Sequence, residues 1–460
     1  VSSELQIQSF EHLNALFRAK LSDHTLYRGK QFSYLKIFQH ALTYEQAGAD
    51  FRILKNYLHW PVWAQRALMQ LKSLRHTHVK TPQLREVVLI DPARLVRDHE
   101  DAWHSIYMER ATELFPPKTV SVLSRNADAR MRCDAALSSI PRYYRGPDAR
   151  EMELLEEISD VSQLTLKSTR WTQKQKAHIL SALHVFFDDF RFYYGLFRYQ
   201  PVKSVVFISH YHNEGLIAAL KTLGIRSVEL QHGLISENDL YYQYTSEFRQ
   251  GVQNGLFPDH ICVYGSYWKE LLLKGVEFNA ANITVTGDYQ WQPETKPDKQ
   301  PINQVLICAQ KNMHAEYVAY AQRIKPLLQK HPDWKWVIKM HPLEKNKELY
   351  RALERDGFII VDNEQSINAL LSESRIQISI YSTTFFDALG YDILNYSLQD
   401  YSIYSDYAAQ MIREKVAEPL SVDDDPVDNY LRADKKSAHR SRQEVYAPFN
   451  AEVMRRAITG

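Results

Sequence analysis

RIQISIYSTTFFDALG, residues 375–390, decides the fold class. Its first seven residues alternate isoleucine with small or polar side chains over a strand's length. Three hydroxyl residues follow, and then an apolar run with helical character. A short apolar strand, a polar turn and a helix form the repeating unit of a parallel sheet covered on both faces. The same unit recurs around this stretch in VLICAQ (305–310), WKWVIKM (334–340), GFIIVD (357–362) and DILNYSL (392–398). It recurs upstream in VVLID (87–91), TVSVLS (119–124), SVVFIS (204–209), SVELQ (227–231), HICVYG (260–265) and ITVTGD (283–288). Between the two sets, QWQPETKPDKQPINQ (290–304) carries three prolines and reads as a linker.

The sequence therefore predicts an α/β protein with one strand–helix domain over 83–289, a linker over 290–304 and a second strand–helix domain over 305–430. Residues 1–82 read as helical and basic-aromatic, without a short-period strand pattern. Within them, KNYLHWPVWAQRALMQLKSLR (Lys55 to Arg75) reads either as a segment lying on an anionic membrane surface or as an amphipathic helix packed on the domain. Residues 150–200 are expected to hold a long helix. SVDDDPVD (421–428) reads as a solvated acidic loop, and residues 431–460 as a C-terminal helix crossing back to the first domain.

Composition excludes several classes. With 460 residues the chain can bury a large core, and 56 basic against 55 acidic side chains argue against a nucleic-acid binder. Cys133, Cys262 and Cys308 form no C-x-x-C pair, which fits a reducing compartment and supports neither a disulfide framework nor a zinc site. No apolar run approaches the length of a membrane span, and the N-terminus has no signal-peptide core, although a start at Val1 leaves a removed leader open. The 28 tyrosines and 8 tryptophans allow a carbohydrate-binding or peripheral membrane surface.

Ligands of open parallel sheets bind beyond the carboxyl ends of the strands, so the chemistry is expected in those loops. In the second domain, Ser382, Thr383 and Thr384 stand where a helix start offers N–H groups and hydroxyls to a phosphate, although plain N-capping explains them as well. His341-Pro342 follows the strand one cycle upstream: the imidazole can donate to a phosphate or a sugar hydroxyl, and the proline stiffens the loop. Lys339 and Lys311 add positive charge, with Gln310 beside them. In the first domain, Gln231-His232-Gly233 allows a tight turn that points His232 into the crevice as a general base. Asp91 and Glu214 are rival bases, and Gly265-Ser266 lines the same side. A histidine bonded within the sheet edge is the competing reading of His232.

The order LQHG, VYGSYWKELLLKG, ITVTGDYQ, VIKMHPLE and SIYSTTFFDALG, over about residues 200–400, resembles GT-B-fold glycosyltransferases of bacterial capsule and lipopolysaccharide O-antigen assembly. The nearest patterns are those of sialyl-, Kdo- and glycerophospho-transferases, which share an HP motif and a later Ser/Thr motif. The resemblance implies two Rossmann-like domains facing each other across a cleft, with a helical N-terminal extension. It implies a nucleotide-sugar donor held by the C-terminal domain, with acceptor and base on the N-terminal side. It places His341 and Ser382, Thr383 and Thr384 on the donor phosphate and Asp387 on the ribose. It implies no metal and no cofactor. Asp423-Asp424-Asp425, the sole D-x-D, reads as surface. The Asp/Glu-Asp/Glu-Gly motif that sialyltransferases use for the base is missing.

The expected function is transfer of a sugar from a nucleotide-sugar, CMP-linked before UDP-linked, to a glycan or lipid-linked glycan. The expected place is the bacterial cytoplasm, peripherally at the inner face of the inner membrane. A polyol-phosphate transferase with a CDP-linked donor, a non-catalytic GT-B-like glycan-binding or scaffold module, and a nucleotide-sugar epimerase are the alternatives.

Overall fold

The structure is a computed structural model. It describes residues 25–27, 30–32, 36, 82–97, 102–125, 133–140, 173–236, 241–242, 256–275, 278–290, 301–310, 313–341, 344–362, 365–391, 393–401, 405–433 and 440–460. The chain divides into two compact units: Glu4–Pro293 together with Ala447–Gly460, and Glu294–Tyr446 together with Val1–Ser3.

Within the segment expected to be helical, β1 (Thr25–Tyr27) and β2 (Lys30–Phe32) form an antiparallel pair. This corrects the helical reading there; alternation over three residues is too short for sequence periodicity to register. The Lys55–Arg75 segment lies outside the described residues. β3 (Val87–Asp91) opens the first main sheet, and its five residues are all buried, which explains its unbroken apolar sequence. β4 (Leu95–Arg97) and β5 (Trp103–Ser105) make a small antiparallel ribbon that the sequence reading missed. The sheet continues with β6 (Val120–Ser124), β7 (Ala135–Ala136), β8 (Ser204–Ile208), β9 (Arg226–Leu230), β10 (His260–Val263) and β11 (Ile283–Val285).

All seven strands run parallel, in the order β11-β10-β9-β8-β3-β6-β7. Counted from β3, that is 7-6-5-4-1-2-3, the order of a Rossmann sheet, so the direction of winding reverses between β3 and β8. The helix Gln173–Phe197 packs on the helix Glu214–Leu223, where Gly215 lets the two backbones approach: a Cβ there would meet Phe186 O and Phe190 N. The helix Ala451–Thr459 belongs to this unit. Its approach is tied down by Ala447 N–H donating to Tyr264 O (2.9 Å) and Asn450 N–H to Thr286 O (2.9 Å).

The second unit repeats the plan. Its strands are β12 (Gln304–Cys308), β13 (Lys335–Lys339), β14 (Ile359–Val361), β15 (Ile376–Ser379), β16 (Leu394–Leu398) and β17 (Glu418–Leu420). They are parallel in the order β14-β13-β12-β15-β16-β17, which is 3-2-1-4-5-6 counted from β12, with the reversal between β12 and β15. The helix His314–Lys330 lays Tyr317, Tyr320, Ala321 and Ile324 on Val305, Ile307, Ile376 and Ile378, forming the main core of this unit. Two α/β domains with parallel sheets are thus the fold. Among the described residues no helix is long and apolar enough to cross a membrane.

Candidate active site

At the reversal between β3 and β8 in the first unit, both strand ends carry strained backbone. Ala93, two residues past β3, has φ 60°, and Ser209, directly past β8, has φ 61°. These are two of the three non-glycine residues with positive φ among those described. Such conformations persist only where the surroundings over-determine them. At Ser209 they do. Asn213 Nδ2 donates to Ile208 O (2.9 Å) and Ser209 O (3.0 Å), and Arg125, past the end of β6, donates to Asn213 Oδ1 (2.8 Å).

His232, two residues past β9, meets this turn. Its Nε2 lies 3.0 Å from the Tyr211 hydroxyl and 3.2 Å from Ser209 Oγ, while its carbonyl accepts from the Tyr107 hydroxyl (2.8 Å). The neighbours of His232 in the sequence do a different job from the one expected. Gln231 is fully buried: its Oε1 accepts from Tyr264 N (3.0 Å), its Nε2 donates to Gly233 O (3.0 Å), and its carbonyl accepts from the Tyr289 hydroxyl. Gln231 braces the turn from beneath rather than lining the crevice. Gly233 has no positive φ, and a Cβ there would meet nothing within 4 Å, so neither a strained turn nor close packing requires it.

Asp91 ends β3 with only 1% exposure. Its Oδ1 accepts from Ala93 N (2.6 Å), and its Oδ2 is buried with no hydrogen-bond partner. Burial raises its pKa, against the pull of the hydrogen bonds from Ser105 and Ala93. Glu214 is the first residue of the helix Glu214–Leu223, where its charge acts on His210. Gly265 is the extended residue before the helix Ser266–Lys274, and Ser266 is exposed at its start.

Beneath the His232 turn lies a constellation that the sequence reading did not find. His210 Nδ1 meets Glu229 Oε2 at 2.5 Å, and the Tyr242 hydroxyl donates to Glu229 Oε1 (2.8 Å). Neither His210 nor Glu229 has any exposed side chain. Burial holds His210 below the usual histidine range. Burial also opposes ionisation of Glu229, but His210 and the Tyr242 hydroxyl outweigh it and hold the carboxyl below the usual glutamate range. A glutamate inside SVELQ was the available signal, because a charge in a buried strand needs a partner.

In the second unit, Gln310 and Ser382 end the segments that flank the β12/β15 reversal. Gln310 Oε1 accepts from the Tyr317 hydroxyl (2.9 Å) and from Tyr381 N (3.2 Å), which joins the two strand ends. With that oxygen committed, the amide nitrogen is the end of Gln310 able to serve an anion. The hydroxyl run is only partly a helix start. The helix Thr384–Ala388 has five residues, and its early amides are spent locally: Thr384 N–H on Ser382 Oγ (3.3 Å), Phe385 N–H on Ser382 O (3.2 Å) and Phe386 N–H on Thr383 O (3.0 Å). The Thr384 hydroxyl also donates to Ser382 Oγ (2.9 Å) and accepts from Gln377 Nε2. Thr383 is exposed and its side chain caps nothing, so it is the hydroxyl of the three directed to solvent.

His341 is half-buried past β13, its carbonyl accepting from Glu344 N (2.9 Å). Glu344 Oε1 then closes the turn by accepting from Lys345 N and Asn346 N (both 2.8 Å). Lys339 is buried at the end of β13 and donates to Asp362 O; burial lowers its pKa despite the nearby Asp362 charge. Lys311 and Pro342 lie outside the described residues. Asp387 Oδ1 accepts from the Tyr446 hydroxyl (3.0 Å) and its carbonyl from Arg442 Nη1 (3.1 Å), so this side chain anchors the segment 442–446.

The acidic run is not all solvated surface. Asp425 Oδ1 accepts from Val427 N (3.0 Å) and Asp428 N (3.1 Å), capping the helix Pro426–Arg432. Asp425, Asp428 and His331 converge as metal ligands would, among the described residues. Lys330 Nζ, however, already donates to Asp425 (2.8 Å) and Asp428 (2.6 Å), which accounts for the cluster as an ion-paired cap.

No protein-family model matches the chain, and no curated protein matches it. Among solved structures it is similar to the UDP-GlcNAc 2-epimerase of Neisseria meningitidis bound to UDP-GlcNAc, at 13% identity over 73% of this chain and 87% of that one, with a TM-score of 0.40. It is similar to a glycosyltransferase from Rickettsia africae, at 12% identity over 82% and 93% of the two chains, TM-score 0.40. It is also similar to MurG of Acinetobacter baumannii, at 13% identity over 82% and 94%, TM-score 0.38.

Proposed function

We propose that this chain is a metal-independent glycosyltransferase of the GT-B type, moving a sugar from a nucleotide-sugar to a growing bacterial surface glycan. The observation that carries the reading is the same in each unit. Polar side chains with chemical capacity stand at or one strand away from the reversal of a Rossmann-ordered sheet, where such sheets bind their ligands: Asp91 and Ser209 with His232 past β9, and Gln310 and Ser382 with His341 past β13.

The donor belongs to the second unit. Thr383, with the backbone at Ser382–Thr383, the Gln310 amide, His341 and Lys311 hold the phosphates and stabilise the charge that develops as the nucleotide leaves. Ser382 and Thr384 shape that turn through their mutual bond. Asp387, engaged by Tyr446, is assigned to holding its own unit together rather than to the ribose. His232 of the first unit is the base that takes the acceptor hydroxyl's proton. It is only half-buried, whereas Asp91 Oδ2 is sealed from solvent and cannot reach an acceptor unless its turn opens. A CMP-linked donor is favoured over a UDP-linked one, and the working place is the inner face of the bacterial inner membrane.

Thermal-shift measurements with CMP, CDP, UDP and GDP, with and without EDTA, test this, because a ligand of the native state raises its stability by ~2.7 kcal/mol at a hundredfold excess over Kd. A cytidine nucleotide is expected to raise the melting temperature equally with EDTA present, and the shift is expected to shrink in Thr383→Ala and His341→Ala. No shift with any nucleotide sinks the proposal. Conversion of a nucleotide-sugar without an acceptor would establish an epimerase instead.

A further inference from the structure

We propose that Ser209 and Tyr211 are positioning residues, whose two hydroxyls hold the His232 ring with Nε2 bare. The inference rests on His232 being the base, and it adds how the ring is kept ready to accept a proton.

Three observations converge. First, both hydroxyls reach Nε2, Tyr211 at 3.0 Å and Ser209 at 3.2 Å; Ser209 Oγ also lies 3.5 Å from Nδ1, so Tyr211 serves Nε2 alone and Ser209 reaches both ring nitrogens. A bare Nε2 can accept the Tyr211 proton and exchange it for that of a bound sugar hydroxyl; an Nε2–H could only donate. Second, the Ser209 hydroxyl reaches that place because its backbone is left-handed, at φ 61° and ψ 72°. A serine in the ordinary extended conformation at the end of β8 would send its side chain elsewhere. Third, the strain is held from several directions. Asn213 grips the carbonyls of Ile208 and Ser209, Arg125 grips Asn213, and the next residue, His210, is pinned in the core by Glu229. A turn of merely structural purpose could relax to an unstrained conformation; this one is built from β6, β8 and β9 to deliver one hydroxyl to one imidazole.

Tyr211 is placed as firmly. Its ring lies 4.5 Å from that of Tyr241 and 5.8 Å from that of Tyr242, centroid to centroid, and Tyr242 is itself bonded to Glu229. The outward clamp on His232 and the buried His210–Glu229 pair are thus two sides of one turn.

The test needs no substrate. In protein labelled with ¹⁵N-histidine, long-range proton–nitrogen spectra distinguish a bare ring nitrogen from a protonated one, and His232→Gln assigns the signal among the 18 histidines. Wild-type protein is expected to show a bare, pyridine-type Nε2. Ser209→Ala and Tyr211→Phe are each expected to move that signal towards the protonated, pyrrole type, leaving the other histidines in place. Ser209→Gly separates clamp from scaffold: it relieves the left-handed strain and should raise the melting temperature, yet shift the His232 signal as Ser209→Ala does. A protonated Nε2 in the wild type, or unchanged His232 signals in Ser209→Ala and Tyr211→Phe, overturns the proposal. If the clamp is observed but His232→Gln retains full turnover, His232 is not the base, and that separate reading fails on its own.

Discussion

His210, in the turn two residues past β8, and Glu229 on the neighbouring β9 meet at 2.5 Å, with both side chains completely buried. A lone carboxylate in such a place would be prohibitive; this one accepts from an imidazole N–H and a phenol.

The pair is therefore expected to be unforgiving. Glu229→Ala removes the charge but leaves the His210 and Tyr242 donors unpaired, and should cost roughly 3–5 kcal/mol. Tyr242→Phe removes a single donor to the carboxylate and should cost about 1–3 kcal/mol. Denaturant unfolding of both variants checks the order; a Glu229→Ala protein as stable as the wild type would contradict the constellation.

Gly287 is expected to tolerate no side chain. Its φ is +83°, and a Cβ would run into the backbone of Pro448 and Phe449 as the chain returns to the first unit. Gly287→Ala should cost roughly 2–4 kcal/mol, combining left-handed strain with overpacking. Limited proteolysis should then cut within residues 447–460 before elsewhere, a preference that the wild type should lack.

His260 is expected to make stability depend on pH. Burial, helped by Arg226 and Lys269, lowers its pKa to about 4 from 6.5, while Nε2 keeps a 2.7 Å bond to Thr284 Oγ1. The unfolded chain binds this proton more readily, so the contribution is complete above pH ~6.5 and lost as pH falls towards ~4. The slope from one group is at most ~1.4 kcal/mol per pH unit. Melting curves of His260→Gln across that range should be flatter than those of the wild type.

Donor binding and proton removal are expected to separate by unit. His232→Asn should lower turnover by ~10²- to 10⁴-fold with nucleotide affinity unchanged. Thr383→Ala should weaken nucleotide binding by roughly tenfold, the worth of one hydrogen bond to a charged group, without changing the melting temperature of the free protein. Calorimetric titration beside steady-state kinetics reads both; a fall in nucleotide affinity in His232→Asn would break the division.

The sheets were legible because β3, β8 and β12 are buried on both faces and must be continuously apolar, a pattern visible without any partner. The ends of those strands were legible for the same reason: a polar residue at the end of such a run can only be at the rim. Asp91 and Gln310 stand at such ends, and His232, His341 and the hydroxyl run follow the shorter apolar runs of β9, β13 and β15. Local sequence determined that much, since burial and periodicity act over a few residues.

What each of those residues does was decided by contacts remote in sequence. Gln231 and Asp387 look like ligand groups, but Tyr289 lies 58 residues from Gln231 and Tyr446 lies 59 from Asp387, and those partners commit them to structure. Ser209 looks like the last residue of a strand, and only its left-handed backbone aims it at His232. A hydrogen bond depends on positions to within a few tenths of an ångström. The neighbouring letters of a sequence carry no such information, and the packing of strands and helices from distant parts of the chain supplies it.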